Sequence, residues 1–205
     1  MVQGASLDAM SGLEVRPLTL SRWDDVATVF GCRGDDAAWD WCRRFLQPPP
    51  EQTNLPQERR DNRAAFHSEV ANAPVPPGLI AYLEDQPVGW TRVGPRDELA
   101  GVRGNRALAR LLDPDPGAWW VSCFAVAPHA RRDGVGTSLL RAAVEFAFAH
   151  GARSVEGHPV DVMALKTGPA SPSAIFTGTL AMFLAAGFTE IGRTYPSRPV
   201  MRLAV

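Results

Sequence analysis

The chain has 205 residues, 45% of them hydrophobic, which is enough to fill a sizeable core within one domain. A formal net charge of -1 excludes a nucleic-acid surface built on bulk charge, and no apolar run approaches membrane-spanning length. Three cysteines (Cys32, Cys42, Cys123) match no metal or redox spacing, and their odd count fits no disulfide framework.

Residues 1–11 lack a basic segment followed by an apolar run, so no secretory signal is read there and a reduced, cytoplasmic protein is expected. Residues 14–18 read as a short strand, followed by a helix capped at Thr19 or Ser21 that turns Trp23, Val26, Ala27 and Phe30 inward. From 31 to 77 the pattern is irregular. It holds Trp39, Trp41 and Phe45, three prolines at 48–50, and an arginine-rich helix from about 57 to 72 with Arg59, Arg60 and Arg63 on a solvated face. Strands at 79–84 and 88–93 flank the turn-forming Asp85-Gln86-Pro87. A polar surface loop follows from 94 to 117, with a short helix around 105–112.

Residues 119–127 are nearly continuous in apolar character, as a strand buried on both faces requires, and Cys123 there packs as a small apolar group. A helix runs from about 137 to 150, with Leu140, Ala143, Val144 and Ala147 on one face and Gly151 as its carboxy-terminal cap. Next come a strand at 154–158, a Pro/Gly/Ser-rich loop, a short helix at 180–186, and final strands at 188–192 and 200–204.

Between strand and helix lies Arg131-x-x-Gly134-x-Gly136. Glycines there let the backbone pass close to a bulky anion, and the first-turn N–H groups of the following helix then point at it. Alone the hexapeptide is weak, since composition gives roughly one chance match in five chains of this length. Its context is stronger: the motif follows Phe124-Ala125-Val126-Ala127-Pro128 and precedes Met182-Phe183-Leu184-Ala185-Ala186-Gly187-Phe188. A dinucleotide fold would want a third glycine where Leu139 stands, and no Walker lysine is present.

From Trp119 to Phe188 the arrangement resembles the acetyl-CoA-binding core of the GCN5-related N-acetyltransferase superfamily. A looser resemblance, to members of actinobacterial type, lies in Trp39-Asp40-Trp41-Cys42, Val88-Gly89-Trp90 and Arg198-Pro199-Val200-Met201-Arg202. The resemblance implies an α/β fold: a mixed, mostly antiparallel sheet of six or seven strands flanked by helices and splayed between residues 119–127 and 154–158. It further implies that the backbone of Phe124, Ala125 and Val126 holds the pantetheine arm. Arg131, Arg132, Asp133, Gly134, Val135, Gly136 and Thr137 would cradle the pyrophosphate, and the Val126 N–H would polarise the thioester oxygen.

By the same resemblance Glu156 takes the acceptor's proton, with His158 or Asp161 as alternatives, while Phe183 stands where relatives carry a tyrosine general acid. The implied reaction is acetyl transfer from acetyl-CoA to an amine of a small molecule, peptide or protein, with no metal, nucleic acid or membrane involved. Residues 1–205 are expected to form one such domain, with the segment at about 31–77 on the substrate side. The sequence leaves open whether the chain works alone or as a homodimer. Because Phe183 lacks the hydroxyl, a non-catalytic acyl-CoA-binding or regulatory module is the rival reading. Trp39, Trp41, Trp90, Trp119 and Trp120 are read as core before acceptor pocket.

Overall fold

The computed structural model describes residues 12–31, 40–47, 56–165 and 174–204, with side chains from residue 60 onward in the third of these. Cys32, Trp39, the prolines at 48–50 and the Arg59 side chain lie outside the described residues. The strands are β1 (Leu13–Pro17), β2 (Gly78–Leu83), β3 (Gln86–Pro95), β4 (Ala118–Val126), β5 (Ser154–Gly157), β6 (Thr189–Tyr195) and β7 (Arg198–Ala204). The helices are α1 (Trp23–Val29), α2 (Pro56–Asn72), α3 (Ala100–Arg103), α4 (Val135–Ala149) and α5 (Leu180–Ala185). They build one seven-stranded sheet in the order β1-β2-β3-β4-β5-β7-β6, as the expected architecture required.

Every neighbouring pair is antiparallel except β4 and β5, which run parallel from Ala118↔Ser154 to Val121↔Gly157. Parallel neighbours need a crossover, and α4 supplies it. Its buried residues Val135, Leu139, Leu140, Ala143, Val144 and Ala147 recur at helical spacing and pack on Leu79, Ala81, Val121, Val155, Phe183 and Met201. Leu139 and Leu140 are each 0% exposed, a burial worth about 1.5–3 kcal/mol per side chain.

The opposite face carries two smaller cores. Leu18, Val26, Phe66, Ile80 and Tyr82 gather around Trp41 and Trp90 under α1 and α2. Leu99, Val102 and Leu108 cover Trp120 and Val200. Residues 94–117 are therefore more than a surface loop, because they close the sheet over β4 and β7. The short helix expected around 105–112 is a single helical turn over Leu108–Arg110, opened by the Asn105 side chain, which accepts from the amides of Ala107 and Leu108; α3 precedes it.

The β2–β3 turn is Glu84-Asp85, with φ of 48° and 62°, and not the tripeptide ending at Pro87. Two left-handed residues match the twist of a two-residue hairpin, and Pro87 falls beside a bulge in β3 where no ladder donor is needed. Cys42 and Cys123 form a disulfide across a sequence separation of 81, which overturns the expectation of unpaired thiols. Spacing carried no signal, since the fold brings the two together only once residues 40–47 lie on β4. Among the described residues no helix is long and apolar enough to cross a membrane.

Candidate functional site

Strands β4 and β5 part company at a defined point. Their pairing stops at Val121↔Gly157, whereas β4 continues to Val126. At that point β4 also bulges: Arg92 pairs with Cys123 and Val93 with Val121, so Ser122 has no partner residue on β3. The Ser122 hydroxyl is buried and makes no hydrogen bond among the described residues. Nothing in the sequence singled it out, because a register shift is not visible there.

Beyond the bulge, backbone groups alternate. The Ala127 amide donates to Val88 of β3, so Ala125 also faces β3, and only its side chain is available to the splay. Phe124 faces the other way, and its amide donates to the Phe176 carbonyl at 2.6 Å. The turn at 174–177 thus reaches the β4 edge through this one bond, and an isolated parallel bridge joins Val160 to Thr179. The Val126 carbonyl accepts from Arg131 Nε at 2.9 Å. These two positions carry the donor and acceptor that an extended arm needs, each satisfied here by a contact that such an arm would replace.

The turn into α4 has the shape of an anion cradle. Arg132 sits at φ 72° and Gly134, the N-cap, at φ 83°, a left-handed conformation that favours glycine. Alternating left-handed residues point successive N–H groups to one side, and α4 adds the orphan amides of its first turn. The two glycines differ in purpose. A Cβ on Gly136 would lie 2.9 Å from Met182 Cε, the flexible end of a side chain of α5 that would have to turn aside. Arg131, Arg132, Asp133 and Gly134 are exposed, Gly136 and Thr137 half-buried, and Val135 is part of the core.

The three expected catalytic groups are brought near the parting of the strands, but each is engaged by arginine. Glu156 is 0% exposed; its Oε2 accepts from Arg96 at 2.7 Å and its Oε1 from Arg202 Nε at 2.9 Å. That arrangement pins β5 to β7 and to the start of the 94–117 excursion. Asp161 accepts from Arg193 at 2.8 Å and from the Met163 amide, and the Arg193 hydrogen bond holds its carboxyl below the usual range. His158 is buried, with Nε2 2.8 Å from Thr194 Oγ1 and Nδ1 3.4 Å from Arg198 Nη2. Burial, then the charge of Arg198, lowers its pKa to about 4, so it is neutral at pH 7. Since a guanidinium only donates, Nδ1 is the accepting nitrogen and Nε2 carries the proton.

Phe183 is fully buried beneath the splay, edge-on to Phe124 at 6.5 Å and to Phe188 at 4.9 Å. Gly157 accommodates it, because a Cβ there would fall 2.4 Å from its ring. Trp41, Trp90, Trp119 and Trp120 are all buried in the cores, and Arg60 is exposed. His129 and His150 are exposed, and a His150 ring nitrogen lies 2.7 Å from the Phe146 carbonyl at the end of α4. No group of described His, Cys, Asp or Glu side chains could hold a metal.

Solved structures share this architecture at low identity. The GNAT domain of S. lividans PAT superposes with a TM-score of 0.54 at 16% identity, covering 94% of this chain and 90% of that one. A GCN5-related N-acetyltransferase from Kribbella flavida gives 0.54 at 18% identity, covering 95% and 99%. An N-acetyltransferase from Staphylococcus aureus Mu50 gives 0.51 at 15%, covering 94% and 98%. No curated protein matches the chain. The model of the acetyltransferase (GNAT) family matches residues 37–161, more than half of the sequence. The chain belongs to the acetyltransferase (GNAT) family.

Proposed function

We propose that the protein transfers an acetyl group from acetyl-CoA directly to a primary amine of a small molecule or peptide. The observation that carries this is the conjunction at one place of a parted β4/β5 pair, a bulge at the parting point, and a left-handed turn opening a 15-residue helix. Backbone amides at residues 132–137 and the dipole of α4 suit a pyrophosphate, an interaction worth up to about 2 kcal/mol for a well-placed anion. The Phe124 amide and the Val126 carbonyl would hold the pantetheine arm once Phe176 and Arg131 release them. Acetyl-CoA supplies the activated acyl thioester.

Of the three acid–base candidates, His158 suits proton removal best. It is neutral, and its Nδ1 lone pair is held only by the long contact to Arg198. Glu156 we assign a positioning role, since both its oxygens are taken by guanidinium groups that close the floor of the site. With no hydroxyl at Phe183, the unpartnered Ser122 hydroxyl is the donor for the departing thiolate. A thiol of pKa about 8.5 needs only modest help to leave, so one ordinary hydroxyl suffices.

The non-catalytic reading keeps one specific support: the Phe176 carbonyl occupies the Phe124 amide. Thiol release from acetyl-CoA, measured across amines, polyamines, amino acids and peptides, separates the two. Amine-dependent release supports transfer. Stabilisation by acetyl-CoA with no release from any acceptor class supports the binding module.

A further inference from the structure

The four arginines that engage Glu156, His158 and Asp161 differ in their charge partners among the described residues. Arg96 is paired with Glu156, Arg202 with Glu156 and Asp113, and Arg193 with Asp161 and Glu190. Arg198, the first residue of β7, has no carboxylate partner among the described residues. Its Nη1 donates to Thr177 Oγ1 at 3.1 Å and its Nη2 to His158 Nδ1 at 3.4 Å, and neither partner is charged. Asp161, whose amide donates to the Ser197 carbonyl next door, gives its carboxylate to Arg193 instead.

This half-buried guanidinium touches both margins of the gap. His158 follows the last residue of β5, and Thr177 follows Phe176, whose carbonyl holds the β4 edge. From the opposite side Arg44 lies 5.9 Å from the Phe176 ring, and Phe45 stacks on that ring at 6.1 Å. Burial first, and the charge of Arg44 second, push Arg198 below the usual guanidinium range. Two cations that repel one another at a partly desolvated place, one of them with no carboxylate partner among the described residues, are unfavourable until an anion joins them.

We propose that Arg198 is the receptor for an oxyanion carried by the acceptor, so that the acceptor is an amine bearing a carboxylate or a phosphate. The planar guanidinium fork matches either oxyanion through two parallel hydrogen bonds. An oxyanion taken there also draws Nη2 away from His158. The bared Nδ1 lone pair, now beside a negative charge that offsets Arg198 and raises the basicity of the ring, then accepts one proton from the acceptor's ammonium, giving an imidazolium paired with the oxyanion and a neutral amine. Anion recognition and base release are thereby one event. This rests on the acetyltransferase reading for its second half, whereas the anion site stands without it.

The test has two arms. In the first, wild-type protein and Arg198→Gln are titrated with acetate and with inorganic phosphate while the arginine Nε–H resonances are followed by NMR. A saturable shift of the Arg198 resonance, with the accompanying shift of the His158 ring resonances lost in Arg198→Gln and partly kept in Arg198→Lys, supports the site. The stronger of the two anions identifies the oxyanion. No saturable shift at Arg198, or equal responses in all three proteins, overturns it. In the second arm, thiol release is measured with β-alanine against its amide and with phosphoethanolamine against ethanolamine. Preference for the charged member, lowered roughly 10²-fold in kcat/KM by Arg198→Gln, supports the proposal. Equal or better use of the neutral members overturns it. Absence of release from every amine counts against catalysis, while the first arm still decides the anion site.

Discussion

The two sides of the β4/β5 gap are made of different materials. The α4 side consists of backbone: a left-handed turn at Arg132 and Gly134, orphan helix amides, and the edge of β4 beyond its pairing with β5. The other side consists of side chains gathered from far apart, with Glu156 bonded to Arg96 and Arg202, and Cys42 joined to Cys123. A backbone cradle accepts the same anion whatever surrounds it. A side-chain floor is fixed by the particular ions and packing that it contains. One side is thus suited to a constant cosubstrate and the other to a particular acceptor.

The largest expected effect is on the side-chain floor. Glu156→Ala removes one carboxylate from between two guanidiniums, leaving the buried Arg96 without a counter-charge and Arg202 with Asp113 alone, so stability should fall by about 3–5 kcal/mol. Denaturant midpoints check this, and a stable Glu156→Ala protein with slow turnover would restore Glu156 as the base. Opening the disulfide comes next. Cys42→Ser should cost about 2–4 kcal/mol by releasing a long loop in the unfolded chain. Wild-type protein melted with and without reductant should show the same loss, and equal melting would mean that the cross-link does not form.

Titration of His158 offers a graded test. Its folded pKa of about 4 lies below the ordinary value of about 6.5, so the unfolded chain takes up a proton first as pH falls. The resulting stability is fully present above about pH 6.5 and is lost progressively toward pH 4, amounting to about 3 kcal/mol. His158→Gln should flatten that part of the stability–pH curve, and an unchanged curve would place the imidazole in a more open setting. The smallest effect belongs to Ser122→Ala. An unpartnered hydroxyl contributes nothing to folding, so stability should hold or rise slightly, while kcat should fall about tenfold if the hydroxyl serves the thiolate. Unaltered kcat would assign that proton to solvent.

The same contrast explains what could be read in advance. Helix α4 and its preceding turn were legible because their signals are local: apolar residues at helical spacing, and glycines at fixed offsets. Strand order up to β5 followed for the same reason. The base role of Glu156 came from the resemblance alone, while its ion pairs could not be read in advance because their partners lie 60 and 46 residues away. The disulfide, the Ser122 bulge and the uncompensated Arg198 share that property of being made by register and contact.

The backbone cradle is tested most directly at Thr137, half-buried in the first turn of α4. Thr137→Glu places a negative charge where a helix amino terminus favours it, so the free protein should melt at or slightly above the wild-type temperature. Acetyl-CoA at about 100-fold above its Kd should raise the wild-type Tm by about 5–10 °C, because it binds the folded state alone. In Thr137→Glu that rise should vanish, the new carboxylate occupying the place of the pyrophosphate. Equal rises in both proteins, or none in the wild type, would contradict a CoA cradle at residues 131–137.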